Sequence, residues 1–380
     1  MKKINTKILI IGAGPAGLAI AGRLRQLSIP FEIIEKSQQV GASWIEHYDR
    51  LHLHTVKERS HLPFLPFPED YPRYVPRLQL LAYFEQYAKH FDIQPLFGME
   101  ATAIQRSDDK WLVKTAKGIE FLCEKVVLAT GLNRIPNRPA FSGEAQFKGT
   151  IIHSKAYKNA DRFAGQTVLV VGMGNTGAEI ALDLCENGIE TFLSVRGAVN
   201  VVPRDTFAGP TQRTALKLAK LPNWIGDPIG VLLRRLTVGD LSKYGLPTPK
   251  MPPAKQLRTT GKTPVIDIGT IDHIKVGNIK VLPGIAYFDD DAIAFTNGEK
   301  RQFDAVILAT GYSPKIEELL EDTRGLLDPY GLPKNCIAEG KHKGLYFLGF
   351  DNYVAGGILG VIYRDSEQIA KNIVQEMKGQ

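Results

Sequence analysis

The chain has 380 residues, of which 44% are hydrophobic and 23% charged; that composition excludes a disordered or fibrous protein and gives enough chain for two domains. The net charge of +7 is spread over scattered lysines and arginines with no basic run, which excludes a nucleic-acid-binding arm and suits a phosphate-rich cofactor or an acidic substrate. The three cysteines, Cys123, Cys185 and Cys336, form neither a CxxC pair nor a zinc spacing, as expected of reduced thiols in a cytoplasmic protein.

The N-terminal MKKINTK followed by ILIIGAGPAGLAIAG imitates the basic and apolar regions of a secretion signal. Glycines at 12, 14 and 17 instead make it a first strand, Ile8 to Ile11, entering a phosphate-binding turn. Leu18 to Leu27 reads as a helix and FEIIEK (31–36) as the next strand, which completes a βαβ unit. Residues 44–79, rich in Pro, His and aromatics, read as loop, and Leu80 to His90 as helix. WLVKTA and IEFLCEKVVLATG read as strands joined by a hairpin.

From residue 150 the pattern restarts. TVLVVG (167–172) is a strand, GMGNTG a second glycine-rich turn, and a helix through Cys185 leads to the strand ETFLSVR (190–196). Helices are expected around 211–220 and 228–236, ahead of the Pro-rich GLPTPKMPP (245–253). Strands resume near 279, and FDAVILATGY (303–312) echoes KVVLATG (125–131). The C-terminal QIAKNIVQEMKGQ is polar every few residues and cannot span a bilayer, so no membrane anchor is expected. The expected fold is α/β, two doubly wound Rossmann-like dinucleotide-binding domains. The first is split, 1–158 and 284–380, around a second inserted at 159–283.

GxGxxG alone is weak evidence, but a strand before it and a helix after it give it meaning. In GAGPAG, Gly12 permits the tight turn, Gly14 lets backbone approach a pyrophosphate, and Gly17 lets the helix pack on the strand. Glu35 ends the following strand at the roughly 20-residue spacing of a ribose-binding acid. It would repel a 2′-phosphate, so this site suits FAD or NAD. In GMGNTG, Gly172, Gly174 and Gly177 repeat the pattern, but the strand ends in Arg196, whose guanidinium matches the 2′-phosphate of NADPH. Together they imply an FAD enzyme reduced by NADPH, with 159–283 as the NADPH domain. Small residues at the two echoing strand ends, Thr130-Gly131 and Thr310-Gly311, let backbone pass near a dinucleotide. With no redox cysteine pair, dioxygen is the expected electron acceptor.

These residues, with FKGTIIHS, resemble the class B flavin-containing monooxygenases: Phe147, Gly149 and His153 match the FxGxxxH pattern of that class. YDRLHLHTVKE, LPFPEDYPRY, GDLSKYGLPTPKMPP, GKTPVIDIGTI and FDAVILATGY are similar to the plant-type YUCCA indole-3-pyruvate monooxygenase branch, and the likeness runs from about residue 5 to 375. The resemblance implies that Gly12, Gly14, Pro15, Ala16, Gly17, Glu35 and Lys36 hold the FAD adenosine diphosphate and that Trp44 stands beside the flavin. It implies that Gly172, Gly174, Asn175, Thr176, Gly177 and Arg196 hold NADPH, and that Asp351, in GFDNYVAGG, contacts FAD. His54 falls where other branches place an Asn near flavin and nicotinamide; it is the catalytic candidate. The implied mechanism is a flavin hydroperoxide that inserts one oxygen atom into a small-molecule substrate. The first choice is oxidative decarboxylation of an aryl 2-oxo acid such as indole-3-pyruvate. N- or S-oxygenation, Baeyer–Villiger oxidation, a non-oxygenating NADPH–flavin reductase and a dinucleotide sensor stay open.

FKGTIIHSKAYK (147–158) is expected to be a joint where the chain leaves one domain for the other. His153, Ser154 and Tyr157 would hydrogen-bond across it, with His153 and Tyr157 among the cofactor-binding candidates, and no Ser-His nucleophile is expected because adjacent residues on an extended segment point apart. His47, His52, His54 and His61 match no metal spacing, so no metal is expected. Lys57, Arg59, Arg73 and Arg77 are candidates to meet an acidic substrate and Phe64 and Phe67 to line a pocket, with loops 44–79 and 205–264 as its walls. No nucleic-acid or membrane partner is expected, and a homodimer is compatible with the sequence.

Overall fold

The computed structural model describes residues 2–206 and 209–378; within the expected pocket loop 205–264, residues 207 and 208 lie outside the described residues. Four crossings, after residues 45, 54, 135 and 311, divide the chain into two compact units.

In the first unit the apolar N-terminal run forms β1 (Lys2–Ile11), whose residues Ile8–Ile11 are buried, as a strand covered on both faces must be. The unit continues with α1 (Pro15–Gln26), β2 (Glu32–Glu35), α2 (Arg77–His90), β3 (Leu96–Phe97), β4 (Ala101–Ser107), β5 (Lys110–Thr115) and β6 (Ile119–Leu128). The sheet order is β3-β2-β1-β6-β5-β4, with the late strand Leu345–Phe347 also beside β6. Pairs around β1 are parallel, while β4, β5 and β6 form an antiparallel meander, of which β5 and β6 are the hairpin expected from the sequence. The C-terminal helix Ile358–Lys378 packs on α1. Loop 55–76 is tied to α2 through the Tyr83 hydroxyl, which accepts from the Leu62 N–H at 2.7 Å and donates to the Leu65 carbonyl at 2.6 Å.

The second unit repeats the scheme: β7 (Thr150–His153), β8 (Thr167–Val171), α3 (Asn175–Glu186), β9 (Glu190–Ser194), α4 (Thr211–Leu218), α5 (Asn223–Thr237), α6 (Pro253–Thr260), β10 (Ile279–Leu282) and β11 (Ala305–Leu308). Its five-stranded sheet, β10-β9-β8-β11-β7, is parallel throughout. The expected boundaries at 158/159 and 283/284 therefore fall inside this unit. The reason is pairing: AVIL (305–308) lies beside β8 as KVVL lies beside β1, so the echo marks one role played once in each unit. Residues 136–158 and 284–311 go with that sheet.

The short segment Glu46–His54 also belongs to the second unit. Tyr48 joins its core, 2% exposed, and Arg50 Nη1 sits 2.8 Å from Glu186 and 3.5 Å from Asp183. Glu179, Asp183 and Glu186 follow i, i+4, i+7 spacing, which places three acids on one face of α3. That stripe holds the segment.

Candidate functional site

Both glycine-rich turns owe their shape to carbonyls that leave no space for a side chain. Gly12 has φ +108°, and a Cβ there would stand 2.7 Å from the Ala129 carbonyl oxygen; one at Gly17 would stand 1.8 Å from the Gly12 oxygen. In the second unit, a Cβ at Gly172 would stand 2.7 Å from the Ala309 oxygen and one at Gly177 1.9 Å from the Gly172 oxygen. The ATG strand ends thus explain the first glycine of each turn. Gly14 and Gly174 differ: nothing lies within 4 Å of a Cβ at either. The protein itself leaves an open cradle at the middle glycine. Neither α1 nor α3 has a side-chain cap, so first-turn N–H groups point at each cradle. Uncapped N–H groups over an open cradle fit a pyrophosphate.

In the first cradle, Pro15 starts α1, Ala16 is buried behind it, and Glu35 is 9% exposed. The Glu35 carboxylate accepts from the Ala13 N–H at 2.8 Å and the Ser37 N–H at 2.9 Å. Those bonds fix it at the turn and leave lone pairs for ribose hydroxyls. Lys36 is exposed beside it. The Thr130 Oγ1 is buried without a hydrogen-bond partner, and Gly131 follows at φ +78° with nothing within 4 Å. An orphaned hydroxyl at the cradle strand fits a ligand-facing position. Gly349 would place a Cβ 3.2 Å from that of Ala16, so the segment to Asp351 passes close to the turn. Asp351 is already engaged: it accepts from the Tyr353 N–H at 3.0 Å and pairs with Arg364 at 2.8 Å. With Phe350 and Cys336 it lines a cavity of about 460 Å³. Trp44 sits edge-on to Phe84, ring centroids 6.4 Å apart.

In the second cradle, the Asn175 side-chain carbonyl accepts from the Ile266 N–H at 2.7 Å, and Thr176 bonds the Tyr48 hydroxyl. Both side chains brace the turn. Arg196 is exposed just beyond β9. Gly284 lies against it, where a Cβ would come within 3.1 Å of the Arg196 Cβ. Thr310 donates to the Asn137 carbonyl.

FxGxxxH proves to be architecture of this second unit. Phe147 is buried in a core with Phe288, Ile293 and Leu308. A Cβ on Gly149 would meet the Asp304 carbonyl and the Phe147 ring at 2.6 Å. His153 Nδ1 accepts from the Lys155 N–H at 3.1 Å, so Nε2 carries the proton toward the Gly311 carbonyl at 3.2 Å. The expected joint is β7, an edge strand. Tyr157, expected at the cofactor, is 1% exposed and donates to Asp183 at 2.6 Å; burial and that carboxylate push its hydroxyl well up. It is a core brace of α3. The Ser154 Oγ is buried without a partner, remote from nucleophile geometry with His153.

Burial holds the His153 imidazole below its ordinary value, opposed by its bond to Gly311. The unfolded chain, near pH 6.5, takes the proton more readily. Stability present above about pH 6.5 is therefore lost as pH falls through the lowered folded value. The melting temperature should decline on acidification below about pH 6.5, less so for His153→Asn; equal slopes would contradict the assignment. His153→Ala should raise KM for NADPH about 2–10-fold and increase hydrogen peroxide leakage, because the Gly311 turn loses its anchor.

His54 lies in this unit too. Its Nε2 is 2.8 Å from Glu179 Oε1, an ion-pair distance outside hydrogen-bond alignment, and its Nδ1 is buried without a partner. Glu179 is 2% exposed and also bonds Tyr48. Tyr48, Glu179 and Asp183 escaped sequence reasoning; the available signal was an acidic stripe on a helix whose neighbours are apolar.

Burial pushes the Cys123 thiol up to about 12 and the Cys336 thiol up to about 11, the reverse of a redox-active thiolate. Among the described residues no helix is long and apolar enough to cross a membrane, and no three ligand-type residues cluster for a metal.

Residues 9–207 match the profile of the pyridine nucleotide-disulphide oxidoreductase family. Over 97% of the chain and 88% of the relative, the sequence is 38% identical to the probable indole-3-pyruvate monooxygenase YUCCA7 of Arabidopsis thaliana. Against the indole-3-pyruvate monooxygenase YUCCA1 of Oryza sativa subsp. japonica it is 38% identical over 96% of the chain and 90% of the relative. A solved flavin-containing monooxygenase from Stenotrophomonas maltophilia shares the fold at TM-score 0.74 and 20% identity, covering 99% of this chain and 100% of that one. The chain therefore belongs to the pyridine nucleotide-disulphide oxidoreductase family and, within it, to the flavin-containing monooxygenases of the YUCCA type.

Proposed function

We propose that this enzyme uses FAD, NADPH and dioxygen to decarboxylate an aryl 2-oxo acid such as indole-3-pyruvate. One observation carries the cofactor reading: two cradles of the same build, the first with Glu35 hydrogen-bonded at its turn and the second followed by a strand that leads to Arg196. Gly12, Gly14, Pro15, Ala16 and Gly17 take the FAD pyrophosphate, Glu35 and Lys36 its ribose side, and Thr130, Gly131, Trp44 and Asp351 flank it. Gly172, Gly174 and Gly177 take the NADPH pyrophosphate and Arg196 its 2′-phosphate, with Asn175, Thr176, Thr310, Gly311 and His153 fixing the surrounding turns.

Bound flavin supplies the redox and oxygen chemistry. The protein binds, orients and excludes water. His54 is the group proposed to hold or move a proton, at Nδ1, while Glu179 steadies the opposite ring edge. The balance is 2-oxo acid, dioxygen, NADPH and a proton going to the shortened acid, carbon dioxide, water and NADP⁺. The names of the full-length relatives support the substrate. Of the partner expectations, a small-molecule substrate and dioxygen belong to this proposal, as does a cytoplasmic location.

The test is product analysis with indole-3-pyruvate, phenylpyruvate, a tertiary amine, a thioether and a cyclic ketone. The proposal expects the two 2-oxo acids to be decarboxylated with NADPH consumed in step. Turnover of only the amine, thioether or ketone would move the reading to soft-atom or ketone oxygenation, and NADPH oxidation without any product to a plain reductase.

A further inference from the structure

Helix α5 is packed inside out. It buries Gly226 and Arg234, the latter 8% exposed with Nη1 donating to Asn200 at 2.5 Å. Outward it presents Trp224, 77% exposed, Leu232, 56%, and Leu236, 73%, with Ile229 and Leu233 alongside. Trp224, Pro228, Leu232 and Leu236 recur every fourth residue and form one continuous apolar stripe. An exposed patch of this kind marks a contact surface. Beside it runs a groove of about 730 Å³ against α6, lined by Trp224, Leu232, Arg235, Lys255 and Arg258.

The charge around the stripe identifies what covers it. Residues 211–262 hold ten Lys and Arg against two Asp and Glu, a net +8 that exceeds the +7 of the whole chain. The positive balance of this protein thus sits entirely in one excursion. Lys217, Lys220, Arg235, Lys250 and Lys255 are all exposed there. A second copy would bring a second +8 against the first, which opposes self-association. A tryptophan and leucine ridge flanked by long cationic side chains has the composition of an in-plane helix at a lipid–water boundary, with lysines and arginines reaching the headgroups.

We propose, against the expectation of no membrane partner, that α5 and its flanks dock this enzyme, from the side and without spanning, onto an anionic lipid surface. The holoenzyme would be floated with phosphatidylcholine vesicles and with vesicles containing about a third phosphatidylglycerol. Binding is expected to the anionic vesicles only and to weaken with added salt. The double variant Leu232→Glu/Leu236→Glu should lower the bound fraction at least about tenfold, and Arg235→Glu/Lys255→Glu should lower it as well. Far-UV circular dichroism and bound-flavin absorbance should stay unchanged, since these side chains are exposed; Leu236→Ser serves as the milder probe. No binding to anionic vesicles, or binding that ignores lipid charge and both double variants, would overturn the proposal. So would a holoenzyme dimer, seen by light scattering, that the leucine variants break, because the stripe would then be an interface between copies.

Discussion

Gly14→Ala should give a folded protein with at least about tenfold less bound FAD, and Gly174→Ala a protein that keeps its flavin but shows KM for NADPH raised at least about tenfold. The two positions separate ligand binding from folding. Their backbone, φ −77° and −89°, is ordinary for alanine, and a Cβ at either meets no protein atom within 4 Å. The protein loses nothing, while a pyrophosphate loses the close approach that the missing side chain allows. Gly17→Ala and Gly177→Ala are the contrasting pair. There the new atom would meet the Gly12 or Gly172 oxygen at 1.8 or 1.9 Å, so the turn itself must move and stability falls too. Flavin content, thermal melting and NADPH kinetics read the four variants. Equal flavin loss in Gly14→Ala and Gly174→Ala would refute the division of cofactors between the units.

Arg196→Ala should raise KM for NADPH about 10–100-fold and leave NADH turnover near its starting value. The range follows from losing a charge-assisted hydrogen bond of about 1.5–3 kcal/mol to the 2′-phosphate. Arg196→Lys should recover only part, because an ammonium offers a point charge where the guanidinium offers a fork. Arg196 lies exposed beyond β9, so its removal should not change the melting temperature. An equal loss with NADPH and NADH would make it a general positioning residue and refute its choice of nucleotide.

The features legible in the sequence were those written as local necessity. Four glycines are forced by carbonyls at 1.8–2.7 Å from their absent side chains, and parallel strands buried on both faces leave unbroken apolar runs such as ILII and VLVV. Glu35 and Arg196 are proposed from the sequence because strand ends fix where a ribose lies. Long-range pairing was hidden. Segment 46–54 follows the second unit through Tyr48, Arg50 and His54, whose partners lie on α3 more than 100 positions away. The strands Thr150–His153 and Ala305–Leu308 are four residues each, too short to announce which sheet they join, so the divisions after residues 135 and 311 differ from the boundaries expected at 158/159 and 283/284. FxGxxxH read as a seam because its glycine and histidine look functional; the Phe147 ring and the Gly311 carbonyl, which explain them, appear only in three dimensions. Helix α5 exposes leucines and buries an arginine, the reverse of what periodicity assumes.

Turnover of indole-3-pyruvate with NADPH under ¹⁸O-labelled dioxygen shows whether the enzyme transfers an oxygen atom to its substrate. Turnover should yield indole-3-acetate carrying a single labelled oxygen in its carboxylate, with carbon dioxide released and NADPH consumed in equal amounts. Unlabelled product, or NADPH oxidation that yields only hydrogen peroxide, would contradict it.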